Sequence, residues 1–262
     1  MDLALMIAKS GLDAHHKSIE VISNNLANAN TTGFKKNRAE FEELPYQIIQ
    51  QPGSATSDGV TMPVGVTIGT GAKLSNNSKI FTDGSQITTD KALDIAIKGR
   101  GFLQVQLPNG SDFAYTRAGS LRVNEQGQIT LPNGYLVQPP ITIPTGVQKI
   151  TIAEDGTVSV VTSTSTTEQT LGQIQLADFI NPDGLEPIGQ NLYQVTAASG
   201  QPTLGNPTQS GLGSIQQGAL EGSNVNVVEE MVNLIEAQRA FEVTSKAVSA
   251  VDSMLQYLNQ AT

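Results

Sequence analysis

The sequence predicts an α+β protein with a discontinuous plan, in which N- and C-terminal helices pair as an antiparallel coiled coil around a central antiparallel β domain, a small barrel or sandwich. Three observations predict it. All 12 prolines lie between Pro45 and Pro207, while residues 1–44 contain only Gly11 and Gly33 as helix breakers and residues 223–262 contain neither Gly nor Pro. Apolar residues recur every seven positions at both ends, and every two positions in the middle. A proline ring excludes helix interiors and suits turns and strand edges, so its distribution separates the two regimes.

In the first segment Leu5, Leu12, Ile19 and Leu26 keep the seven-residue step, with Ala8, Ile22 and Ala29 three positions on and His15 as the polar exception. The last segment repeats the pattern with Val227, Leu234, Phe241, Val248 and Leu255, then Ala237, Thr244, Val251 and Leu258, interrupted by Glu230. These are a and d positions of a narrow seam that needs a helical partner, and each helix is the other's nearest candidate. In the middle, Leu93, Ile95 and Ile97, then Leu103, Val105 and Leu107, alternate with other residues as half-buried strands do. Asn109-Gly110, Gln126-Gly127, Asn133-Gly134 and Asp155-Gly156 punctuate them as turns. Residues 51–71 and 197–222 read as loops. The expected division is a helical domain of 1–33 with 223–262, a connecting region of 34–90 with 197–222, and a β domain of 91–196.

Several function classes are excluded by composition. The 262 residues include 15 Lys and Arg against 24 Asp and Glu, for a formal net charge of -9, and no base occurs between Lys149 and Arg239. A nucleic-acid partner needs a basic stripe to replace phosphate counterions, so none is expected. Cys is absent and the only imidazoles are His15 and His16, which leaves no thiol chemistry, little for a metal, and no expected cofactor. No segment approaches the ~20 apolar residues that cross a bilayer, and Asp2 stands where a secretory signal would be basic. Gly69-Thr70-Gly71 and Gly99-Arg100-Gly101 lack the context of a phosphate loop and read as tight turns. Asp94, Asp112 and Glu125 are the carboxylates from which a glycoside-hydrolysing pair would have to be drawn.

The most specific string runs Asn24-Asn25-Leu26-Ala27-Asn28-Ala29-Asn30-Thr31-Thr32-Gly33-Phe34-Lys35. Clustered Asn side chains compete with helical hydrogen bonds, and Gly33 suits a left-handed position, so the string describes a helix exit of fixed geometry. It resembles the N-terminal signature of the rod and hook proteins of the bacterial flagellum. Residues 223–235 with Gln238, Arg239, Ala240, Phe241 and Glu242 resemble that family's C-terminal signature, notably Asn224, Val225 and Asn226. Residues 97–103 and 115–120 resemble its central β motif.

Within the family the likeness is to distal rod members. Hook members are longer, and Tyr46, Gln50, Pro52 and Gly53 begin a segment resembling the insertion thought to stiffen the distal rod. The resemblance implies a subunit of a rigid, helical, torque-transmitting tube rather than an enzyme. Implied partners are copies of itself, proximal rod proteins, hook or hook-junction proteins, the P and L rings and the flagellar export apparatus, with no membrane insertion. The implied location is the basal body, across the periplasm, reached without a cleavable signal. The alternatives are a proximal rod or hook-type protein, or a secreted cell-wall hydrolase or adhesin.

Overall fold

A computed structural model describes residues 2–51, 64–110, 112–163 and 165–261. The chain divides into two compact units, one of residues 1–27, 37–78 and 226–262, the other of residues 28–36 and 79–225.

The first unit holds α1 (Asp2–Ala27), β1 (Asn37–Glu43), β2 (Gln47–Gln50), β3 (Val66–Ile68), most of β4 (Ala72–Lys79) and, at the far end of the chain, α2 (Val227–Ala261). β1 pairs with β4, and β2 with β3 in antiparallel register. Asn226 caps α2: its side-chain oxygen accepts from Val228 N–H at 3.1 Å, and Glu229 and Glu230 place negative charge in the first turn, where the helix dipole favours it. Two well-separated contacts give the relative direction of the helices. Asn25 reaches Glu230, and a Cβ built on Gly11 would lie 3.7 Å from Thr244 Cγ2. Fourteen residues back along α1 thus correspond to fourteen forward along α2, which makes the contact antiparallel.

The second unit is built from β5 (Gln86–Thr88), β6 (Ile95–Lys98), β7 (Phe102–Gln106), β8 (Phe113–Thr116), β9 (Arg122–Val123), β10 (Ile129–Thr130), β11 (Leu136–Gln138) and β12 (Val147–Ile152). β13 (Thr157–Thr162), β14 (Ser165–Gln173), β15 (Leu176–Asp178), β16 (Glu186–Gly189), β17 (Leu192–Gln194), β18 (Thr203–Gly205), β19 (Ser214–Gln217) and β20 (Ala219–Glu221) complete it. The largest sheet runs β16-β17-β8-β7-β11-β10-β9, with β15 and β18 attached beside β7. Ile95, Leu103, Val105, Ile129, Val158 and Ile174 lie at its apolar centre, and a second cluster stacks Phe81, Phe102, Tyr115, Phe179 and Tyr193 edge to face at 4.9 to 6.1 Å.

Two expectations are corrected here. The β domain is not a closed barrel. One edge of β7 is divided, Phe102 and Leu103 pairing with β15 while Gln104 to Gln106 pair with β11, and the path ends at β16 and β9, which do not meet. Nor are the expected loops without strands: β3 lies within 51–71, of which residues 52–63 are outside the described residues, and 197–222 is not a loop. β18, β19 and β20 lie in it and pair with β15, β6 and β5, so their order comes from strands distant in sequence rather than from any local alternation. The expected turns do connect antiparallel neighbours: 109–110 joins β7 to β8, 126–127 joins β9 to β10, 133–134 joins β10 to β11, and 155–156 joins β12 to β13. Gly99 and Gly101, at φ 99° and 135°, turn the chain from β6 into β7 with no helix following.

Candidate functional site: two polar junctions and a helix seam

The Asn-rich string leaves α1 at Ala27 and turns at Gly33, whose φ is 71°. A Cβ there would stand 2.8 Å from Ala118 N, so both the backbone angle and the space require glycine. Phe34 and Lys35 follow, both buried.

Lys35 enters an ionic centre of the second unit. Its Nζ donates to Glu221 Oε1 at 2.5 Å and to Thr82 O at 2.6 Å. Arg117 Nε donates to the other oxygen, Glu221 Oε2, at 2.9 Å, and its NH2 group to Asp83 at 3.0 Å and Gly99 O at 2.8 Å. Gly84 N–H donates to Glu221 Oε1 as well, at 3.1 Å. The Lys35, Glu221 and Arg117 side chains are 0, 1 and 3% exposed. Two cations meet two carboxylates, so the centre is neutral, and every charge in it has hydrogen-bonded partners, the condition under which buried ions are tolerated. Burial, then the neighbouring Arg117, pushes the Lys35 ammonium down from its usual range, while Glu221 pulls it back up. Burial also raises the Tyr193 phenol to about 12.

The entering and leaving segments are tied side by side. Gly33 N–H donates to Glu221 O at 2.8 Å and Lys36 N–H to Asn224 Oδ1 at 2.7 Å, while Asn224 Nδ2 donates to Ile80 O at 2.7 Å. In the first unit Asn25 does similar work. Its side-chain amide exchanges two 2.8 Å bonds with the Asn37 backbone and donates to Glu230 Oε2 at 3.2 Å. Asn24 accepts from Asn37 Nδ2 at 3.4 Å, and Asn28 accepts from the Thr31 hydroxyl at 3.2 Å.

The remaining sequence candidates divide. Leu5, Leu12, Ile19, Leu26, Leu234, Phe241 and Val248 are half-buried, Val227 is exposed at the start of α2, and the side chain of Leu255 lies outside the described residues. Ala27, Gln238 and Arg239 are exposed, and Val225 is half-buried with its N–H on Ser223 Oγ. Tyr46 is exposed, its hydroxyl donating to Glu43, and Gln50 ends β2; Pro52 and Gly53 lie outside the described residues. Asp94 sits on a bridge to Ser120, Asp112 precedes β8, and Glu125 is in the β9–β10 turn, three separate places in the fold. Among the described residues no cluster of three or more metal-ligating side chains forms. No described helix is long and apolar enough to cross a membrane.

The ionic centre escaped sequence reasoning. Lys35 and Glu221 are 186 positions apart, and a single ion pair leaves no periodic trace; the one available sign was that Lys35 and Arg117 each sit inside a quoted signature.

Comparison with known proteins gives three family matches in the order of those signatures. "Flagella basal body rod protein" matches residues 5–35, "Flagellar hook protein FlgE/F/G D1 domain" residues 96–160, and "Flagellar basal body rod FlgEFG protein C-terminal" residues 216–261. The chain is 49% identical over 258 residues to the flagellar basal-body rod protein FlgG of Caulobacter vibrioides and 47% identical over 257 residues to that of Buchnera aphidicola, each alignment covering 98% of both chains. It is 36% identical to FlgG of Bacillus subtilis, over 95% of both chains.

Proposed function

We propose a function that starts from kinship: the chain belongs to the flagellar basal-body rod protein family, and is a structural rod subunit of the flagellar basal body. In our reading it is a distal rod subunit, without catalytic activity, that polymerises into a rigid helical tube carrying torque towards the hook. Its neighbours there are proximal rod proteins, hook or hook-junction proteins and the surrounding rings, and it arrives across the periplasm through the flagellum's own export apparatus. The segment beginning at Tyr46, Gln50, Pro52 and Gly53 stiffens the tube.

The helices pair as an antiparallel coiled coil. What supports this is the pattern of cover on α2: Glu230, Leu234, Ala237, Phe241, Thr244, Val248 and Val251 are buried or half-buried at alternating steps of four and three, the spacing of a seam. The Asn25–Glu230 and Gly11–Thr244 contacts lie one residue along the chain from Leu26 and Leu12, which supports an antiparallel pairing of the two seams.

The observation that carries polymerisation is a second apolar stripe on α2. Val228, Met231, Val232 and Ile235 recur at helical spacing and are 71, 50, 50 and 48% exposed. A contiguous exposed apolar face of this kind is buried when copies stack, and a head-to-tail contact that does not close produces a helical filament. Val232→Asp and Ile235→Asp leave the monomer folded and abolish filaments in electron micrographs, whereas Leu26→Asp and Leu234→Asp unfold the helical unit as well. Normal filaments from all four variants overturn the reading.

A further inference from the structure

The two ends of the large sheet in the second unit differ in character. At the β9 end lie two adjoining hollows of about 530 and 510 Å³, which share Lys91, Ala92 and Ile150. Leu93, Leu121 and Val123 supply apolar wall, and three cations line the groove: Lys91, Arg122 and Lys149. None of the three has an ion-pair partner among the described residues, whereas Lys17, Lys35, Arg38, Lys73, Arg100 and Arg117 all do. Asp90 and Asp94 also line it, which leaves the groove net positive on a chain whose formal charge is -9.

At the other end lies β16, bonded only to β17. Its exposed residues include Glu186 and Ile188, and just before it come exposed Asp183 and Ile180, the last 89% exposed. No Lys or Arg occurs between Lys149 and Arg239, and the base that does reach this segment, Arg100, is paired with Asp178 and donates to Phe179 O, so Asp183 and Glu186 have no ion-pair partner among the described residues. One edge is therefore apolar and basic, and the opposite edge is apolar and acidic.

We infer that the Lys91–Arg122–Lys149 groove of one copy receives the Ile180–Ile188 edge of a second copy, as a head-to-tail contact between opposite ends of the same sheet. Exposed strand edges are ready pairing surfaces, and complementary charge fixes which edges meet and in which register. Pro187 removes one backbone donor from β16, so side chains rather than a continuous ladder carry the contact. Because the two patches differ, each copy offers both at once, and the contact propagates instead of closing as a dimer. The inference rests on the homopolymer proposed above and adds to it a contact that does not involve the helices.

The test uses the full-length chain and the critical concentration for assembly, measured by sedimentation at low and high salt. Lys91→Glu with Arg122→Glu raises that concentration by about tenfold or more and flattens its salt dependence, while monomer melting is unchanged because both side chains are exposed. Adding Asp183→Lys and Glu186→Lys to the same chain restores assembly. Two results overturn the inference: unchanged assembly in the first variant, or a loss that the reversed pair does not recover, as when another partner fills the groove. If either occurs while Val232→Asp still abolishes filaments, the groove contact fails and the helix-mediated polymer stands; filaments absent from the unaltered protein sink the polymer itself.

Discussion

Asn25 and Glu230, 205 positions apart in the sequence, are joined side chain to side chain at 3.2 Å in the interior of the helical unit, where they are 2 and 5% exposed. The same Asn25 amide holds the Asn37 backbone through two further bonds, so one residue fixes α1, the start of β1 and the first turn of α2 together. Asn25→Asp sets a second carboxylate against Glu230. The expected loss is about 2–4 kcal/mol at neutral pH, and it shrinks as pH falls through the carboxylate range, because the folded pair then takes up protons the unfolded chain does not need. Asn25→Ala removes a donor without adding a charge, so its loss varies less with pH than that of Asn25→Asp. Denaturant titrations of both variants at several pH values check this.

At the ionic centre, removing one partner is worse than removing two. Glu221→Gln strands the buried Lys35 ammonium, with an expected loss of about 3–5 kcal/mol. Lys35→Met combined with Glu221→Gln recovers part of that loss, since Arg117 keeps Asp83 and no uncompensated charge remains. A double-mutant cycle by urea unfolding measures it; a double variant no better than Glu221→Gln would mean that charge is not what couples the two.

Tyr193 makes the second unit sensitive to alkali. Burial raises its phenol from 10.0 to about 12, so the unfolded chain loses that proton first. Its contribution is complete below pH 10 and disappears as pH rises towards 12, on the order of 2 kcal/mol. Lys35 acts in the opposite direction, because its depressed ammonium makes stability rise with pH across its own window. The difference between the unaltered protein and Tyr193→Phe isolates the tyrosine: the variant loses less stability over that range, and ultraviolet titration finds one late-ionising phenol fewer.

Much of the secondary structure was legible because it is written in periods. The seven-residue steps from Leu5 and Val227 forecast two helices, and the alternation at 93–97 and 103–107, with the Asn-Gly and Asp-Gly turns, forecast β6, β7 and the hairpins around them. β18, β19 and β20 were not legible, since their few buried apolar residues, such as Ile215, are ordered by partners more than a hundred positions away in the case of β19 and β20. Sheet closure was equally out of reach, because it depends on whether β16 meets β9 and not on either strand's composition. Of the polar junctions, the Asn residues were visible as a cluster, but their partners, the backbone of Asn37, Ile80 and Lys36, carry no side-chain signature at all.

The bonds from Gly33 to Glu221 and from Lys36 to Asn224 bear on mechanics. Tension applied to the chain at residue 33 reaches residue 224 directly across those bonds, in shear, without travelling through the 187 residues that Lys36 and Asn224 enclose. Within the second unit, β5 to β19 hang from the load path like a pendant from a closed clasp. Such a segment is free to be lengthened, shortened or redecorated in evolution without weakening the line along which force is passed.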